Sequence, residues 1–183
     1  MTKHEQKLSR FLSLVLRHKP EEIGLELDPK GWAPVDDLLF HLELYGKKLT
    51  LEGLQRIVTE NNKKRFAFSE DSKSIRASQG HSIEINLALT PQSPPEFLYH
   101  GTATRFMGLI ENEGLTKMSR QHVHLSADIH TANDVGKRHR KPIILEITAS
   151  VMRDHGHQFF LSENGVWLTE SVPPDYFTRR FSL

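Results

Sequence analysis

The sequence predicts an α+β protein made of two lobes with different patterns. In the first part, apolar residues from Leu8 to Val15 recur at i, i+3, i+4 and i+7, which is the pattern of a helix that buries one face. In the second part, short alternating apolar runs indicate an antiparallel sheet with a few helices. A proline-rich stretch, "LTPQSPPEF" at 89–97, separates the two parts. We therefore expect one lobe over 1–90 and a second over 96–183.

The first lobe is predicted to contain three helices followed by a hairpin. The first helix covers about 5–19 and stops before Pro20, because proline disfavours helical geometry in the preceding residue. The second begins near Pro34 and ends at Gly46, and Thr50 caps the third. The stretch "RFAFSEDSKSIRAS" then alternates, turns and alternates again, as a hairpin does. Three helices and a hairpin form a winged-helix pattern, in which basic residues normally face nucleic acid.

The second lobe is predicted to contain five strands and two helices. The strand-like runs are "FLYH", "HVHLS", "PIILEIT", "HQFFL" and "VWLTE", and an Asn-Gly dipeptide between the last two is a strong hairpin signal. Helical patterns occupy about 104–113 and about 128–138, the second opened by Ser126 or Asp128. The lobe is therefore expected to be a small, mainly antiparallel sheet with helices.

Composition excludes several classes of protein. The 183 residues include no cysteine, so disulfides and cysteine-type zinc sites are excluded. No apolar run approaches the roughly 20 residues that span a bilayer, and the N-terminus lacks the apolar segment of a secretory signal, so we expect a cytoplasmic protein. The 24 basic and 23 acidic residues nearly cancel, so local clusters would have to bind any nucleic acid. The 11 histidines supply side chains that exchange protons near neutral pH.

The first lobe carries two basic stretches with open roles. In "LRHKP", Arg17 and His18 either cap the negative end of the first helix, which is worth roughly 0.3–1 kcal/mol each, or bind an anion. His18 follows Leu14 by four residues, which places it at the edge of the buried face, where a pocket can form. In "NNKKRF", the charges are either solvated or in contact with phosphate. Arg65 in that run has the planar fork that grips a phosphate with two hydrogen bonds.

Polar candidates in the second lobe stand on or beside strands. In "SRQHVHLS", His122 and His124 share one face of a strand. A metal site there would need a third ligand that the sequence does not show, so polar, pocket-facing histidines are the favoured interpretation. In "YHGT", His100 and Thr102 flank Gly101, where a missing side chain would let a ligand approach the backbone. The run "KRHRK" at the end of the last predicted helix suits helix capping and anion binding equally.

Together these motifs resemble the NAD-dependent RNA 2′-phosphotransferases, also called tRNA 2′-phosphotransferases. The resemblance covers nearly the whole chain, in the order "LSRFLSLVLRHKP", "GW", "KKRF", "IRASQGHS", "YHGT", "VHLSAD", "VGKRH" and "ENGVWLT". It implies a winged-helix RNA-binding lobe followed by an ADP-ribosyltransferase-like lobe. It also implies removal of an internal RNA 2′-phosphate, such as one left at a tRNA splice junction.

In the implied reaction the 2′-phosphate attacks the anomeric ribose carbon of NAD and nicotinamide leaves, giving RNA-2′-phospho-ADP-ribose. The ADP-ribose 2″-hydroxyl then attacks the phosphorus, which releases 2′-hydroxyl RNA and ADP-ribose 1″,2″-cyclic phosphate.

The resemblance assigns site residues by motif. The family's catalytic set around the phosphate falls on Arg17, His18, Arg65 and Arg120, so the site is expected in the cleft between the lobes. The residues expected to hold NAD, which is consumed as a co-substrate, are His100, Gly101, Thr102, His124, Ser126, Asp128, Gly136 and Arg138. No GxGxxG motif is present, so NAD is not expected to bind in the Rossmann manner, and the mechanism requires no metal. Val166 stands where many protein-modifying ADP-ribosyltransferases have a glutamate, which fits an acceptor phosphate that needs no base.

Two other functions remain open from the sequence. An ADP-ribosyltransferase that caps phosphorylated nucleic-acid ends could use the same NAD lobe and would leave a stable adduct. A winged-helix binder with a degenerate second lobe would bind nucleic acid without releasing nicotinamide, and the complete catalytic set argues against it. The expected partners are RNA with an internal 2′-phosphate and NAD, with no membrane, and nothing demands more than a monomer.

Overall fold

Helices and antiparallel strands occur throughout the chain, so the fold is α+β, as the sequence predicted. The computed structural model describes residues 2–138 and 141–181, with the backbone alone for the last two of these. The chain forms two compact units, Met1–Ala88 and Leu89–Leu183, and each contains an apolar core of its own. Among the described residues, no helix is long and apolar enough to cross a membrane.

The first unit contains the three predicted helices. They are α1 (Lys3–Val15), α2 (Val35–Leu44) and α3 (Leu51–Thr59). α1 begins with a capping box, in which the side chains of Thr2 and Glu5 each accept a hydrogen bond from the other residue's backbone amide. Thr50 caps α3 as predicted, because its hydroxyl accepts from the amide of Gly53.

The first helix ends earlier than the sequence predicted. Its last helical residue is Val15, whereas the prediction extended to about residue 19. Beyond it the amide of His18 reaches back to the carbonyl of Leu14 at 2.9 Å, and a 3-10 turn follows at Pro20–Ile23. Arg17 and His18 therefore lie on an irregular turn at the C-terminal end of α1, outside the regular helix.

A small antiparallel sheet completes the first unit. It consists of β1 (Ala33–Pro34), β2 (Phe66–Phe68) and β3 (Ser74–Ala77), in the order β1-β3-β2. β2 and β3 form the predicted hairpin, with Phe66 opposite Ala77. The two-residue strand β1 was not predicted, and it pairs with β3 through Ala33 and Ile75. The core brings together fully buried side chains of the helices and the sheet, including Leu12, Leu38, Leu54, Ile57 and Ile75.

The second unit contains eight strands and three helices among the described residues. The strands are β4 (Leu98–Ala103), β5 (Leu115–Thr116), β6 (Val123–Leu125), β7 (Pro142–Ile147), β8 (Phe159–Leu161), β9 (Trp167–Thr169), β10 (Ser171–Val172) and β11 (Phe177–Phe181). The helices are α4 (Met107–Glu113), α5 (Ile129–Gly136) and α6 (Ala149–Asp154). All five predicted strands and both predicted helices are present. The short strands β5 and β10, the helix α6 and the strand β11 were not predicted.

Two three-stranded antiparallel sheets organise the second unit, in the orders β11-β7-β4 and β6-β9-β8. Backbone hydrogen bonds between Tyr99 and Ser126, both 2.8 Å, join β4 to the end of β6. The predicted hairpin joins β8 and β9, and Gly165 in its turn has a φ of 76°. Asp128, and not Ser126, caps α5, since its carboxylate accepts from the amide of Thr131. These connections bring β4, β6 and α5 together. Five of the predicted NAD residues lie on these elements, Ser126 and Asp128 lie between β6 and α5, and Arg138 follows α5.

Candidate functional site

Arg17 and Arg65 come together in the first unit. Arg17 lies on the turn after α1, and its Nη2 donates to the backbone carbonyl of Arg65 at 3.2 Å. Arg65 precedes β2, and its Nη1 donates to Oδ1 of Asn61 at 3.3 Å. The buried amide of Asn61 in turn donates to the hydroxyl of Ser9 on α1 at 3.2 Å. The end of α3, the start of the hairpin and α1 therefore position two guanidinium groups in one corner of the unit.

His18 is held in the same corner by a residue that the sequence analysis did not single out. Its Nδ1 lies 2.9 Å from the hydroxyl of Ser82, and the amide of Ser82 donates to the carbonyl of Arg17 at 3.0 Å. Ser82 belongs to "QGHS", which follows β3 and crosses the end of α1. The sequence points to this segment only through the family motif "IRASQGHS". A serine after β3 gives no local signal that it will contact a turn 64 residues earlier.

His81, the neighbour of Ser82, is the most unusual buried group of this corner. Its side chain is 1% exposed, and neither ring nitrogen has a hydrogen-bond partner among the described residues. Burial is the main cause, and the positive charges of Arg17, His18 and Arg76 add to it; together they lower the pKa of His81 to about 3. The ring is therefore neutral at pH 7. Buried polar groups without partners are rare and destabilising, so this histidine needs an explanation beyond packing.

The corner is suited to an anion. Two guanidinium groups and an imidazole lie together, and the guanidinium groups stay protonated at any physiological pH. A phosphate accepts pairs of hydrogen bonds from arginine in a planar arrangement that lysine cannot reproduce. The structure thus unites three of the four residues that the sequence analysis assigned to phosphate, namely Arg17, His18 and Arg65. The fourth, Arg120, belongs to the second unit.

In the second unit, Arg120, His124 and His100 form a chain of hydrogen bonds. Nη1 of Arg120 donates to Nδ1 of His124 at 3.2 Å, because a guanidinium has no acceptor. The backbone carbonyl of His124 accepts from Nδ1 of His100 at 3.0 Å. The predicted phosphate residue and two predicted NAD residues are therefore connected, and each depends on the position of β6.

His100 has a defined protonation state. Burial lowers the pKa of His100, the hydrogen bond to the His124 carbonyl partly opposes this change, and the charge of Arg120 lowers the pKa further. The neutral ring carries its proton on Nδ1, because that nitrogen faces a carbonyl oxygen. Nε2 is then a hydrogen-bond acceptor, which suits it to receive a hydroxyl group of a ligand.

Gly101 has a packing role that the sequence did not suggest. A Cβ at this position would lie 1.9 Å from the carbonyl oxygen of Ala132 and 2.8 Å from the amide of Gly136, both on α5. The space in the Cβ direction of Gly101 is filled by helix backbone, so the missing side chain admits α5 on that side, and ligand contact at Gly101 stays a prediction. Gly136 is the matching residue on the helix, with its own Cβ position 3.6 Å from Cα of Gly101. The glycine pair allows α5 to pack directly on β4.

His100 and Thr102 point away from α5, because alternate residues of a strand face opposite sides. Thr102 is only 7% exposed, so its side chain is nearly withdrawn from solvent. Its hydroxyl is therefore less accessible than the sequence analysis assumed, while the half-buried His100 keeps contact with solvent.

Ser126 and Asp128 shape the start of α5. The Ser126 hydroxyl donates to the carbonyl of Asp128 and accepts from its amide, at 2.9 and 3.1 Å. The Asp128 carboxylate accepts from the hydroxyl and the amide of Thr131, both at 2.7 Å, and these bonds lower the pKa of Asp128. Arg138 lies on an exposed turn just after α5. Of the basic run "KRHRK", residues 139 and 140 lie outside the described residues.

His122 and His124 belong to no cluster of metal-ligating side chains among the described residues. His124 lies on β6, whereas His122 lies just before the first residue of the strand, where its ring contacts the ring of Phe160 with centroids 5.8 Å apart. Within 2–138 and 141–181, no three histidine, aspartate or glutamate side chains come together in a way that would bind a metal ion.

Comparison with known proteins decides the family. The sequence profile described as "RNA 2′-phosphotransferase, Tpt1 / KptA family" matches residues 3–171. The chain belongs to this RNA 2′-phosphotransferase family. It is 54% identical over 174 residues to a probable RNA 2′-phosphotransferase of Fusobacterium nucleatum subsp. nucleatum, which covers 94% of this chain and 97% of the relative. A relative with the same description from Flavobacterium johnsoniae is 54% identical over 171 residues, covering 93% and 94%.

A third relative of the same description, from Hahella chejuensis, is 52% identical over 176 residues, covering 96% and 95%. The resemblance drawn from the short motifs is thereby confirmed at the level of the family. The match includes both units. The corner of Arg17, His18 and Arg65, the predicted phosphate corner, and the His100–His124–Arg120 chain therefore both lie within the family's common length.

Proposed function

We propose that this protein is an enzyme that removes an internal 2′-phosphate from RNA by transferring it to NAD. The observation that carries the proposal is the meeting of Arg17, His18 and Arg65 in one corner of the first unit. Membership of the RNA 2′-phosphotransferase family supports phosphate on RNA as the group that is handled. NAD and the two-step course of the reaction follow from the family resemblance and are the parts that experiment must test.

Each unit has a part in this proposal. We assign the first unit, with three helices and a hairpin, as a winged-helix lobe that binds RNA. We assign the second, with two antiparallel sheets and α5 packed on β4, as an ADP-ribosyltransferase-like lobe that binds NAD. The boundary between the lobes is taken near 90–96, in the proline-rich segment.

In the proposed first step, Arg17 and Arg65 fix the 2′-phosphate and neutralise its charge, with Arg120 as a third cation. A phosphate oxygen forms a bond to the anomeric carbon of the NAD ribose, and the bond from that carbon to nicotinamide breaks. The nucleophile is already an anion, so no base has to remove a proton. Positioning and electrostatics therefore account for the acceleration of this step.

In the proposed second step, a proton must move. The 2″-hydroxyl of ADP-ribose loses its proton as its oxygen bonds to phosphorus, and the RNA 2′-oxygen gains a proton as its bond to phosphorus breaks. His18 is the group in the phosphate corner that can exchange a proton near neutral pH, and Ser82 fixes its ring. Arginine cannot serve, because it does not lose its proton.

The second unit offers a fitting set of groups for NAD. Neutral His100 presents Nε2 as an acceptor for a ribose hydroxyl, and His124 and Arg120 stand behind it in the same chain of hydrogen bonds. Ser126, Asp128, Gly136 and Arg138 lie around α5, beside this chain. Because Gly101 and Gly136 are taken up by helix packing, we propose that they act through the position of α5 and not by contact with NAD.

The test is a time course on a short RNA with one internal 2′-phosphate, with and without NAD, in the presence of a chelator. Products are resolved by mass. The proposal expects loss of the phosphate only with NAD, together with nicotinamide and ADP-ribose 1″,2″-cyclic phosphate. A stable ADP-ribosylated RNA would point instead to a capping transferase, and unchanged RNA would point to a binding protein.

The division of labour between the two steps has its own test. His18→Ala should accumulate RNA-2′-phospho-ADP-ribose, because the first step needs no proton transfer. Arg17→Ala should slow the first step, so that neither intermediate nor product forms at the normal rate. Equal loss of both steps in His18→Ala, with no intermediate, would rule out the role given to His18.

A further inference from the structure

A cavity opens at one end of the sheet β6-β9-β8. None of the residues assigned to phosphate or NAD lines it. Its volume is about 560 Å³, which lies within the usual range for small-molecule sites. Three chain segments surround it: the turn that enters β6, the loop that enters β8 and the residues that leave β9. Two rings, two amides and one ion pair are among the side chains that line it: His122, Phe160, Gln121, Gln158, Lys117 and Glu170.

Two flat rings line the cavity. The rings of His122 and Phe160 lie 5.8 Å apart at an angle of 59°. A third flat ring can stack on one of them and meet the edge of the other, which is a favourable arrangement for aromatic groups. Burial lowers the pKa of His122, and the nearby Lys117 lowers it further, while Glu170 acts in the opposite direction. A neutral imidazole is a better stacking surface for an uncharged base than an imidazolium.

The lining of the cavity also carries hydrogen-bonding groups that can recognise the edge of a base. Gln121 and Gln158 each offer a donor and an acceptor on one planar amide. Nζ of Lys117 lies 3.6 Å from the carboxylate of Glu170, and both side chains are largely exposed. Exposed ion pairs contribute little free energy, so Lys117 can exchange this partner for a phosphate. Stacking rings with a polar rim match the way proteins bind unpaired RNA bases.

The cavity lies next in sequence to Arg120, the residue of the second unit that is proposed to bind the phosphate. Arg120 lies on the turn that enters β6, where its amide donates to the carbonyl of Lys117 at 3.0 Å. Lys117 and Gln121, on either side of Arg120 in this turn, both line the cavity. Arg120 and His122 are two residues apart, which is about 7 Å on an extended chain and close to the spacing of neighbouring groups on an RNA strand. The predicted NAD residue Ser126 is four residues after His122, which is about 13 Å along an extended strand. The cavity is therefore separate from the predicted NAD residues at the start of α5.

We propose that this cavity binds a nucleobase of the RNA, the base next to the 2′-phosphate. The proposal rests on the proposed function, since it places the RNA phosphate at Arg120. It names the part of the substrate that is read by the second unit, and it assigns binding roles to Phe160, His122 and Gln121. The phosphate corner and the NAD residues leave these three side chains unused.

The test compares intact and abasic RNA in a binding measurement without NAD. A labelled short RNA with one internal 2′-phosphate is titrated by fluorescence anisotropy against the full-length protein. Two partner RNAs lack the base on the 5′ or the 3′ side of the phosphate. One of them should bind wild-type protein about 5- to 100-fold more weakly, since stacking of a base on an aromatic side chain is worth that much.

The variant Phe160→Leu keeps apolar bulk in the fold and removes the aromatic face. It should bind intact RNA about 5- to 100-fold more weakly and should bind the abasic RNA as wild type does. Phe160→Tyr should keep the discrimination. Phe40→Ala is the matched control, because it removes a ring that is 58% exposed in the first unit and outside the cavity. Thermal melting of each variant checks that the fold is retained.

Several outcomes would overturn the proposal. Wild-type protein that binds intact and both abasic RNAs equally has no base site. If the Phe160→Leu variant still binds abasic RNA more weakly than intact RNA by the same factor as wild type does, the base binds elsewhere. A rise in KM for NAD, with RNA binding unchanged, would assign the cavity to a base of NAD. Failure of the proposed function is distinct from all of these, since it is the absence of NAD-dependent phosphate loss in wild-type protein.

Discussion

The hydroxyl of Ser82 lies 2.9 Å from Nδ1 of His18, and the amide of Ser82 donates to the carbonyl of Arg17 at 3.0 Å. One residue thus holds both the backbone of the turn after α1 and the ring that follows it. The side-chain contact fixes the rotation of the imidazole. The backbone contact fixes the carbonyl at the C-terminal end of the helix, where the chain leaves regular geometry. Ser82 is therefore a positioning residue for the proposed proton transfer.

We expect Ser82→Ala to lower kcat of the complete reaction about five- to tenfold, which corresponds to the loss of one hydrogen bond of about 1 kcal/mol. The KM for RNA should stay within twofold, because Arg17 and Arg65 still bind the phosphate. RNA-2′-phospho-ADP-ribose should build up transiently in a rapid-quench time course. Ser82→Thr, which keeps the hydroxyl, should restore most of kcat.

A matched control for this prediction is Ser13→Ala, since the Ser13 hydroxyl only donates to the carbonyl one turn earlier on α1. That variant should behave as wild type. A Ser82→Ala variant with unchanged kcat, or one in which KM for RNA rises and kcat does not fall, would show that the serine does not orient His18 for chemistry.

Helices and strands of this chain were predictable wherever local sequence fixes them. The α1 pattern from Leu8 to Val15, the Thr50 cap of α3 and the hairpin of β8 and β9 each depend on a few neighbouring residues. The elements that were missed, such as β1 and β10, are two residues long. So short a strand exists only because a distant partner supplies its hydrogen bonds, and no local pattern can reveal it.

The site was predictable in its charged residues and not in what holds them. Arg17, His18 and Arg65 stand out as basic residues in suggestive places, and the structure brings them together. Ser82 contributes through a contact with a residue 64 positions earlier, and His81 is buried beside it. Gly101 was interpreted as an opening for a ligand, because a missing side chain looks the same whether a ligand or a helix occupies the space.

Arg65→Lys should reduce kcat/KM for RNA by at least tenfold, although the charge is kept. The planar guanidinium donates two parallel hydrogen bonds to phosphate and also reaches Oδ1 of Asn61, and an ammonium group cannot make both contacts with the same geometry. Steady-state kinetics at saturating NAD measure the effect. Arg56→Lys is the control and should change kcat/KM less than twofold, because Arg56 is an exposed arginine that pairs with Glu5 away from the corner. Equal activity of the Arg65 variant would show that charge alone is sufficient there.

His81→Leu should raise the free energy of unfolding by about 1–3 kcal/mol. The side chain of His81 in the wild type is 1% exposed, and neither ring nitrogen has a hydrogen-bond partner among the described residues. Replacing such a group with an apolar side chain removes the cost of burying it unpaired. Denaturant unfolding at pH 7 measures the change. A loss of stability would mean that the ring holds a buried partner that leucine cannot replace.

The same substitution should change how stability depends on pH. The pKa of His81 falls from 6.5 to about 3 on folding, so between these values the unfolded chain binds the proton and the folded chain does not. The free energy of unfolding of the wild type therefore rises with pH through this window and levels off above it. The difference between wild type and His81→Leu cancels the other titrating groups. It should be largest in acid and constant above about pH 6.5, and a difference independent of pH would contradict the buried neutral ring.

Gly101→Ala should destabilise the second unit by several kcal/mol, because the new methyl group would lie 1.9 Å from the carbonyl of Ala132 and helix backbone cannot move aside as a flexible side chain can. Gly108→Ala is the matched control. Its Cβ position on α4 has nothing within 4 Å, so alanine should stabilise that helix by up to about 1 kcal/mol. Thermal melting and the KM for NAD decide between packing and ligand contact. If Gly101 were glycine to admit a ligand, Gly101→Ala would melt as wild type does and lose only affinity for NAD; we expect the melting temperature itself to fall.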